Sequence, residues 1–202
     1  MNGHETEVKF YIQDLKKIEL RLRELKAQLI QPRTHETNLR FDNANNDLRK
    51  NSRVLRLRQD EKARFTFKGP SVEKEDGVLS RQEIEFVVEN FENAKHFLEA
   101  LGFEAVVFYE KFRTTYKLND THIMLDELPY GEFVEIEGEN VKEIHNIADL
   151  LGLNWNAMIK AGYHSLFERV TEKYNLESSQ LSFTALEKVK ITPDDLSIQA
   201  AD

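Results

Sequence analysis

Several stretches of this 202-residue chain alternate ionic and apolar side chains, and the ionic ones keep a fixed parity. Residues i and i+2 of a strand point to one face. Glu5, Glu7 and Lys9 therefore share a face. So do Arg56 and Arg58; Arg81, Glu83 and Glu85; Lys111 and Arg113; and Glu135 and Glu137. Lys68 and Asp126 fall on strands of the same kind. The set holds seven bases (Lys9, Arg56, Arg58, Lys68, Arg81, Lys111, Arg113) and seven acids. Clustered Arg and Lys bind phosphate oxygens through charge-assisted hydrogen bonds. Carboxylates without His or Cys hold hard cations such as Mg2+ or Mn2+. Both together suit a metal–polyphosphate complex, where a metal neutralises developing charge or activates water during phosphoryl transfer.

The opposite faces of these strands carry Val8 and Phe10, Leu55 and Leu57, Phe65 and Phe67, Ile84 and Phe86, Phe112, and Val134 and Ile136. One such strand reads simply as an antiparallel sheet packed on helices with its other face in water. Repetition weakens that reading. Like charges at i and i+2 stand about 7 Å apart and repel by about 2.4 kcal/mol at an effective dielectric near 20. Strand after strand of them needs partners. A closed barrel supplies them by giving every strand an inside and an outside. With the apolar faces outward under helices, the charged faces line a hydrophilic tunnel.

The elements that must hold these residues are legible from periodicity. Strands are expected over 4–12, 36–42, 53–60, 63–69, 80–88, 104–118, 121–127 and 132–138, with turns at Asp60-Glu61 and Asn119-Asp120 and an exposed loop over 69–79. A first helix starts at the N-cap Asp14 and carries Leu15, Ile18, Leu22, Leu25 and Leu29 on one face, with Pro32 preventing continuation. A second follows Asn90 and stops at Gly102; a third follows Asn140, with Glu143 completing a variant capping box, and stops at Gly152. More helix is expected near 154–175. Residues 176–202 read as a weakly ordered or docked tail in which Pro193 breaks any helix. Each of three helices follows a strand bearing Glu-x-Glu: Glu5-Thr-Glu7, Glu83-Ile-Glu85 and Glu135-Ile-Glu137.

The same residues match a known pattern. Glu5-Thr-Glu7-Val-Lys9 resembles the ExExK signature of the CYTH superfamily, the triphosphate tunnel metalloenzymes. The order that follows is more specific: Leu55-Arg56-Leu57-Arg58, Thr66-Phe67-Lys68-Gly69, Arg81-Gln82-Glu83-Ile84-Glu85, Lys111-Phe112-Arg113, Asp126, and Gly131-Glu132-Phe133-Val134-Glu135-Ile136-Glu137. The resemblance spans about 4–175 and is nearest the branch labelled class IV adenylyl cyclase-like, which includes inorganic triphosphatases, thiamine-triphosphatase relatives and true cyclases. It implies an α+β fold, a closed antiparallel eight-stranded β-barrel with helices packed outside, as a domain over 1–175. It further implies a triphosphate or nucleoside triphosphate substrate with Mg2+ or Mn2+, the seven bases as phosphate ligands, and Lys111 and Lys9 as catalytic residues. Glu5, Glu7, Glu135 and Glu137 become metal ligands, with Glu83, Glu85 and Asp126 behind them or on a second metal. In Thr37-Asn38-Leu39-Arg40-Phe41-Asp42, Arg40 replaces the family's usual aromatic.

Composition bounds the alternatives. A net charge of −8 argues against general nucleic-acid binding. No apolar run approaches the ~20 residues of a membrane span, and a charged N-terminus is not a signal peptide. With no Cys, disulfides and thiolate chemistry are excluded, compatible with a cytoplasmic setting. The six His are scattered without metal-ligand spacing. A homodimer stays open. Arg53, of opposite parity to Arg56 and Arg58, is expected outside, and Tyr163 is read as packing. Removing the charges of Glu135 and Glu137 is expected to abolish turnover but spare the fold. The function expected first is triphosphate hydrolysis; adenylyl cyclisation of ATP, and a non-catalytic polyphosphate- or nucleotide-binding module, are the alternatives.

Overall fold

The computed structural model describes residues 3–177 and 180–202. The first two residues and positions 178–179, parts of the expected domain and tail, lie outside the described residues. In chain order the strands are β1 (Gly3–Ile12), β2 (Gln28–Asn43), β3 (Val54–Gln59), β4 (Ala63–Lys68), β5 (Val72–Glu73), β6 (Leu79–Val88), β7 (Phe103–Leu118), β8 (Thr121–Leu128), β9 (Gly131–Glu137) and β10 (Gln180–Leu181). The helices are α1 (Leu15–Glu24), α2 (Asp47–Lys50), α3 (Phe91–Ala100), α4 (Val141–Leu150), α5 (Tyr163–Tyr174) and α6 (Phe183–Leu186).

Eight strands close an antiparallel barrel in the order β1-β9-β8-β7-β2-β3-β4-β6, with β6 pairing back onto β1. β10 lies parallel to β7 at Phe108 and Tyr109, beyond the last β8 partner of β7 at Phe112, and so covers an otherwise open edge. The strands Glu-x-Glu occupies become neighbours. β6 pairs β1 and β1 pairs β9, setting Glu5 opposite Arg81, Glu7 opposite Glu137 and Lys9 opposite Glu135.

Helices cover the outer apolar faces. Asp14, Asn90 and Asn140 cap α1, α3 and α4 by accepting from the backbone N–H three residues on. Leu15, Ile18 and Leu22 of α1 and Ile144 and Ile147 of α4 pack against Val8, Phe10, Ile12, Val134 and Ile136. Each such side chain, fully buried, contributes about 1.5–3 kcal/mol of transfer free energy. α3 packs Ala94 and Leu98 on Phe41 and Leu57. α5 and the tail form a third cluster, where Leu166, Phe167, Leu181, Leu186 and Leu196 surround Phe133 and Tyr130.

Four expectations need correction. Leu29 is not on α1: the helix ends at Glu24 with Leu25 as its C-cap, Lys26 turns into the left-handed region at φ 58°, and Leu29 is already in β2. The 3-4 spacing there is coincidental, and Pro32 sits inside β2, where the pairing with β7 shifts register and a missing N–H is tolerated. The loop over 69–79 holds β5 and the fully buried Val78. Pro193 opens a short 3-10 turn, Pro193–Leu196, because Pro fits a first helical position. Lastly, not all outer faces lie under helices: Ile84 and Phe86 on β6 are 44% and 55% exposed.

Candidate active site: a two-walled charged tunnel

The barrel interior holds a cavity of about 720 Å³, within the 300–1,000 Å³ usual for ligand sites. Its lining includes all seven expected bases and every expected acid except Asp126, which lies directly beneath it with no exposure. The acidic strands β6, β1 and β9 form one contiguous wall. The basic strands β7, β2 and β3, carrying Lys111, Arg113, Arg40, Arg56 and Arg58, form the wall across from it. Among the described residues the lining holds eleven Lys and Arg against eight Glu, so it is cationic inside a chain of charge −8.

Most of these charges interlock. Lys9 meets Glu135 at 2.7 Å. Glu135 also pairs with Arg113. Burial alone would raise the Glu135 carboxyl, but Lys9, Arg113 and Lys111 outweigh it and hold it well below the usual carboxylate range. Glu5 accepts from Lys68 at 2.7 Å and from Arg81 at 3.0 Å, and these two overcome its burial in the same way. Asp126 accepts from Lys111 Nζ at 2.9 Å, from Arg113 Nε and Nη2 at 2.6 Å each, and from the Tyr163 hydroxyl at 2.8 Å. Four bonds fill a carboxylate's accepting capacity. Arg58 meets Glu85 at 3.0 Å, and Arg56 donates to Thr66 Oγ1 at 3.0 Å.

The acidic wall is not balanced throughout. Burial, with Glu5 and Glu83 nearby, pushes the Glu137 carboxyl up to about 7. Burial likewise raises Glu7, with Glu135 and Glu5 adding to it, and Glu83, with Glu5 adding to it. Lys9 is the converse: desolvation opposes its charge, but Glu135 and Glu7 overcome this and raise it.

These surplus carboxylates bear on a divalent metal. The donors are all oxygens, as Mg2+ and Mn2+ require, and like charges raising one another are what a cation would relieve. Among the described residues, no three carboxylates or imidazoles already stand close enough to form a ready cation site. The donor chemistry fits; the ligands would have to draw together around the ion.

Reasoning from sequence missed several lining residues. Glu36, 1% exposed, stands on β2 with Oε2 3.8 Å from Lys111 Nζ. Arg40 shares its face and lines the cavity, Asn38 shares that face but is fully buried behind the lining, and Tyr109 lines the wall beside them. The parity of 36, 38 and 40 was the available signal, obscured because acidic, amide and basic residues alternate without a repeated sign. Tyr163 is also more than packing. It opens α5, lines the cavity, bonds Asp126 and places its ring 4.3 Å from Lys9 Nζ. Arg53 is exposed, as its parity predicts, and it also stands at the cavity rim, just before β3.

A closed barrel with a basic wall, an acidic wall and outer helices defines a charged tunnel of the α+β class. The chain belongs to the CYTH domain family, whose family model matches residues 3–152. A Methanocaldococcus jannaschii protein named a candidate adenylate cyclase is 28% identical over 173 residues, covering 80% of this chain and 97% of that one. A Vibrio parahaemolyticus structure, also described as a candidate adenylate cyclase, superimposes with a TM-score of 0.75 at 16% identity, covering 83% of this chain and 99% of that one. A Hippeastrum protein described as a candidate adenylyl cyclase with a dominant triphosphatase activity superimposes with a TM-score of 0.56 at 19% identity over 96% of this chain and 100% of that one. Among the described residues no helix is long and apolar enough to cross a membrane.

Proposed function

We propose that the chain is a Mg2+- or Mn2+-dependent enzyme that hydrolyses inorganic triphosphate or a nucleoside triphosphate. The observation that carries this reading is the pairing of a cationic wall with a wall of mutually destabilised carboxylates in one buried cavity. A triphosphate satisfies the first, and divalent cations satisfy the second. The rings lining the cavity offer little to a nucleobase: Tyr163 is tied to Asp126, and Tyr109 faces Arg56 at 3.5 Å. Hydrolysis asks only for water in line with a terminal phosphorus, whereas cyclisation needs a ribose hydroxyl held against the α-phosphorus.

In this reading Arg56, Arg58, Lys68, Arg81 and Arg113 hold phosphate oxygens. Glu7, Glu83 and Glu137, with Glu5 and Glu135, would hold the metal, which when bound neutralises phosphate charge and lowers the pKa of a coordinated water. Lys9, raised by its two carboxylates, stays protonated near neutral pH. It therefore acts as a fixed positive charge and not as a base. Lys111, only 3% exposed and held by Asp126, is the residue we assign to orienting the attacking water. Asp126 positions Lys111, Arg113 and Tyr163 together. The functional unit is residues 1–175, with the described part of 176–202 docked against β7 and α5.

The names of the Methanocaldococcus and Vibrio relatives favour a second reading, adenylyl cyclisation, while the Hippeastrum description sides with hydrolysis. Incubation with tripolyphosphate and, separately, ATP, each with Mg2+ or Mn2+, separates them. Orthophosphate release from tripolyphosphate is expected. Cyclic AMP and pyrophosphate from ATP, with tripolyphosphate left intact, would overturn the hydrolytic reading. Tight tripolyphosphate binding without product under either metal would make the tunnel a binding module.

A further inference from the structure

The strand edges of the barrel are guarded unequally. Before Thr37, β2 pairs with β7 and not with β3, and there Pro32 and two register shifts break up its free edge. β7 is covered by β10 at Phe108 and Tyr109. Just before that point Val106 forms a bulge, since Val107 and Ala105 pair the consecutive residues Arg40 and Phe41. β1 is met at Tyr11 by Ala200. β6 differs. It pairs β1 only from Leu79 to Glu83. From Ile84 to Val88 it pairs β4 on one side, and among the described residues no strand lies on its other side. The sequence there, Ile84-Glu85-Phe86-Val87-Val88, holds no Lys, Pro or Gly and four strand-favouring side chains. Its single charge, Glu85, is engaged within the chain by Arg58 at 3.0 Å.

The side chains along this edge are bare as well. Val87 is 55% exposed, as much as Phe86. Phe86 meets the Phe65 ring of β4 edge-on, 5.7 Å between centres, and the rest of it faces water. An apolar edge without a blunting device is a template for another strand.

Pairing with itself satisfies this edge. A two-fold axis normal to the sheet runs two β6 strands antiparallel and keeps the tunnel-facing side chains of both copies on one face, so residues of like parity meet. Charge chooses among the registers. Centring on Ile84 or Val87 sets Glu85 against Glu83 or Glu89, and centring on Glu85 sets it against itself; like charges directly opposite are destabilising. Centring on Phe86 avoids all three. Phe86 then faces Phe86, Ile84 faces Val88 and Glu85 faces Val87, while Glu83 and Glu89 meet only where pairing stops. Aromatic and β-branched cross-strand pairs are favourable ones.

We infer that the Ile84–Val88 edge of β6 is an interface for a second copy of this chain, the two strands pairing antiparallel about Phe86 into one sheet that runs through both barrels. The occupant is a second copy and not a foreign strand because the segment complements itself in hydrogen bonding, side-chain type and charge.

The test is the mass in solution, followed by light scattering over a concentration series. Wild type reaches twice the mass of one chain. Phe86→Lys sets two ammonium groups opposite each other and raises the dimer Kd about tenfold or more. Leu20→Lys, an equally exposed leucine on α1, leaves the Kd unchanged. Melting curves confirm that both variants are folded. Because the chain has no Cys, a second readout is clean: mild oxidation links Phe86→Cys into a covalent dimer and leaves Leu20→Cys unlinked. A dimer whose Kd survives Phe86→Lys, or Phe86→Cys that links no better than Leu20→Cys, overturns the inference. So does a monomer at every concentration, which would leave the edge to an extended segment of another protein.

Discussion

Asp126→Asn probes how the basic wall is held together. The substitution keeps shape and volume and removes one charge. Asp126 is fully buried and accepts from Lys111, from both ends of the Arg113 fork, and from Tyr163. An amide presents one oxygen and one NH2, so at least one guanidinium N–H of Arg113 would then face a donor. Arg113 keeps Glu135, but Lys111 keeps only Glu36 at 3.8 Å. Removing one partner of a buried charge network costs about 3–5 kcal/mol. For a domain of this size that is a fall in melting temperature on the order of 10 °C. The released cations make the tunnel more attractive to polyanions, so tripolyphosphate should raise the melting temperature of Asp126→Asn more than that of wild type. Turnover should fall, because Lys111 loses the group that orients it. The assay is a thermal melt with and without tripolyphosphate, run beside steady-state kinetics. A melting temperature within about 2 °C of wild type, or tripolyphosphate affinity falling in step with kcat, would refute the account of Asp126 as an anchor for cations.

The two carboxylates of the Glu135-x-Glu137 pair should separate. Glu137→Gln leaves the metal-free fold as stable or more so, whereas Glu135→Gln, which strips Lys9 and Arg113 of their partner, lowers the melting temperature; equal melts would contradict this. This corrects the expectation that both charges are dispensable to the fold. Because Glu137 holds its proton up to about pH 7 in the folded state, against an ordinary value of 4.5, the native state binds more protons across that window, and metal-free stability falls as pH rises through it. Melting curves from pH 5 to 8 check the slope, which Glu137→Gln flattens. His164 works in the opposite sense: burial, with Arg40 beside it, lowers it to about 4 from 6.5, so its contribution is complete above about 6.5 and is lost as pH falls toward 4, a trend that His164→Gln removes. Tyr163→Phe keeps the ring over Lys9 but loses the bond to Asp126; kcat falls several-fold with a stability change of about 1 kcal/mol, and a melting loss as large as that of Asp126→Asn would count against it. Excess chelator abolishes turnover, and undiminished activity in its presence would contradict the proposed metal role.

Period two and helix caps are local properties, and they were legible without any structure. The parity of Glu5, Glu7 and Lys9 or of Arg56 and Arg58 is fixed by where consecutive side chains must point on an extended backbone. The caps at Asp14, Asn90 and Asn140 are likewise set by residues three apart. Repeated like charge on those faces already demanded closure, because open strands leave the doublets uncompensated. What no local rule specifies is which strand lies beside which. Barrel closure brings three Glu-x-Glu strands from distant parts of the chain into one wall, so that Glu7 meets Glu137 while Glu135 is neutralised by Lys9. Identical motifs thus acquire opposite proton affinities, since burial and neighbours, not residue type, set a carboxylate's charge. Tyr163 reached the site for the same reason: the Ile159 N–H bonds the Lys9 carbonyl at 2.8 Å and delivers the start of α5 to the tunnel, a contact between residues 150 apart that only the folded chain could establish.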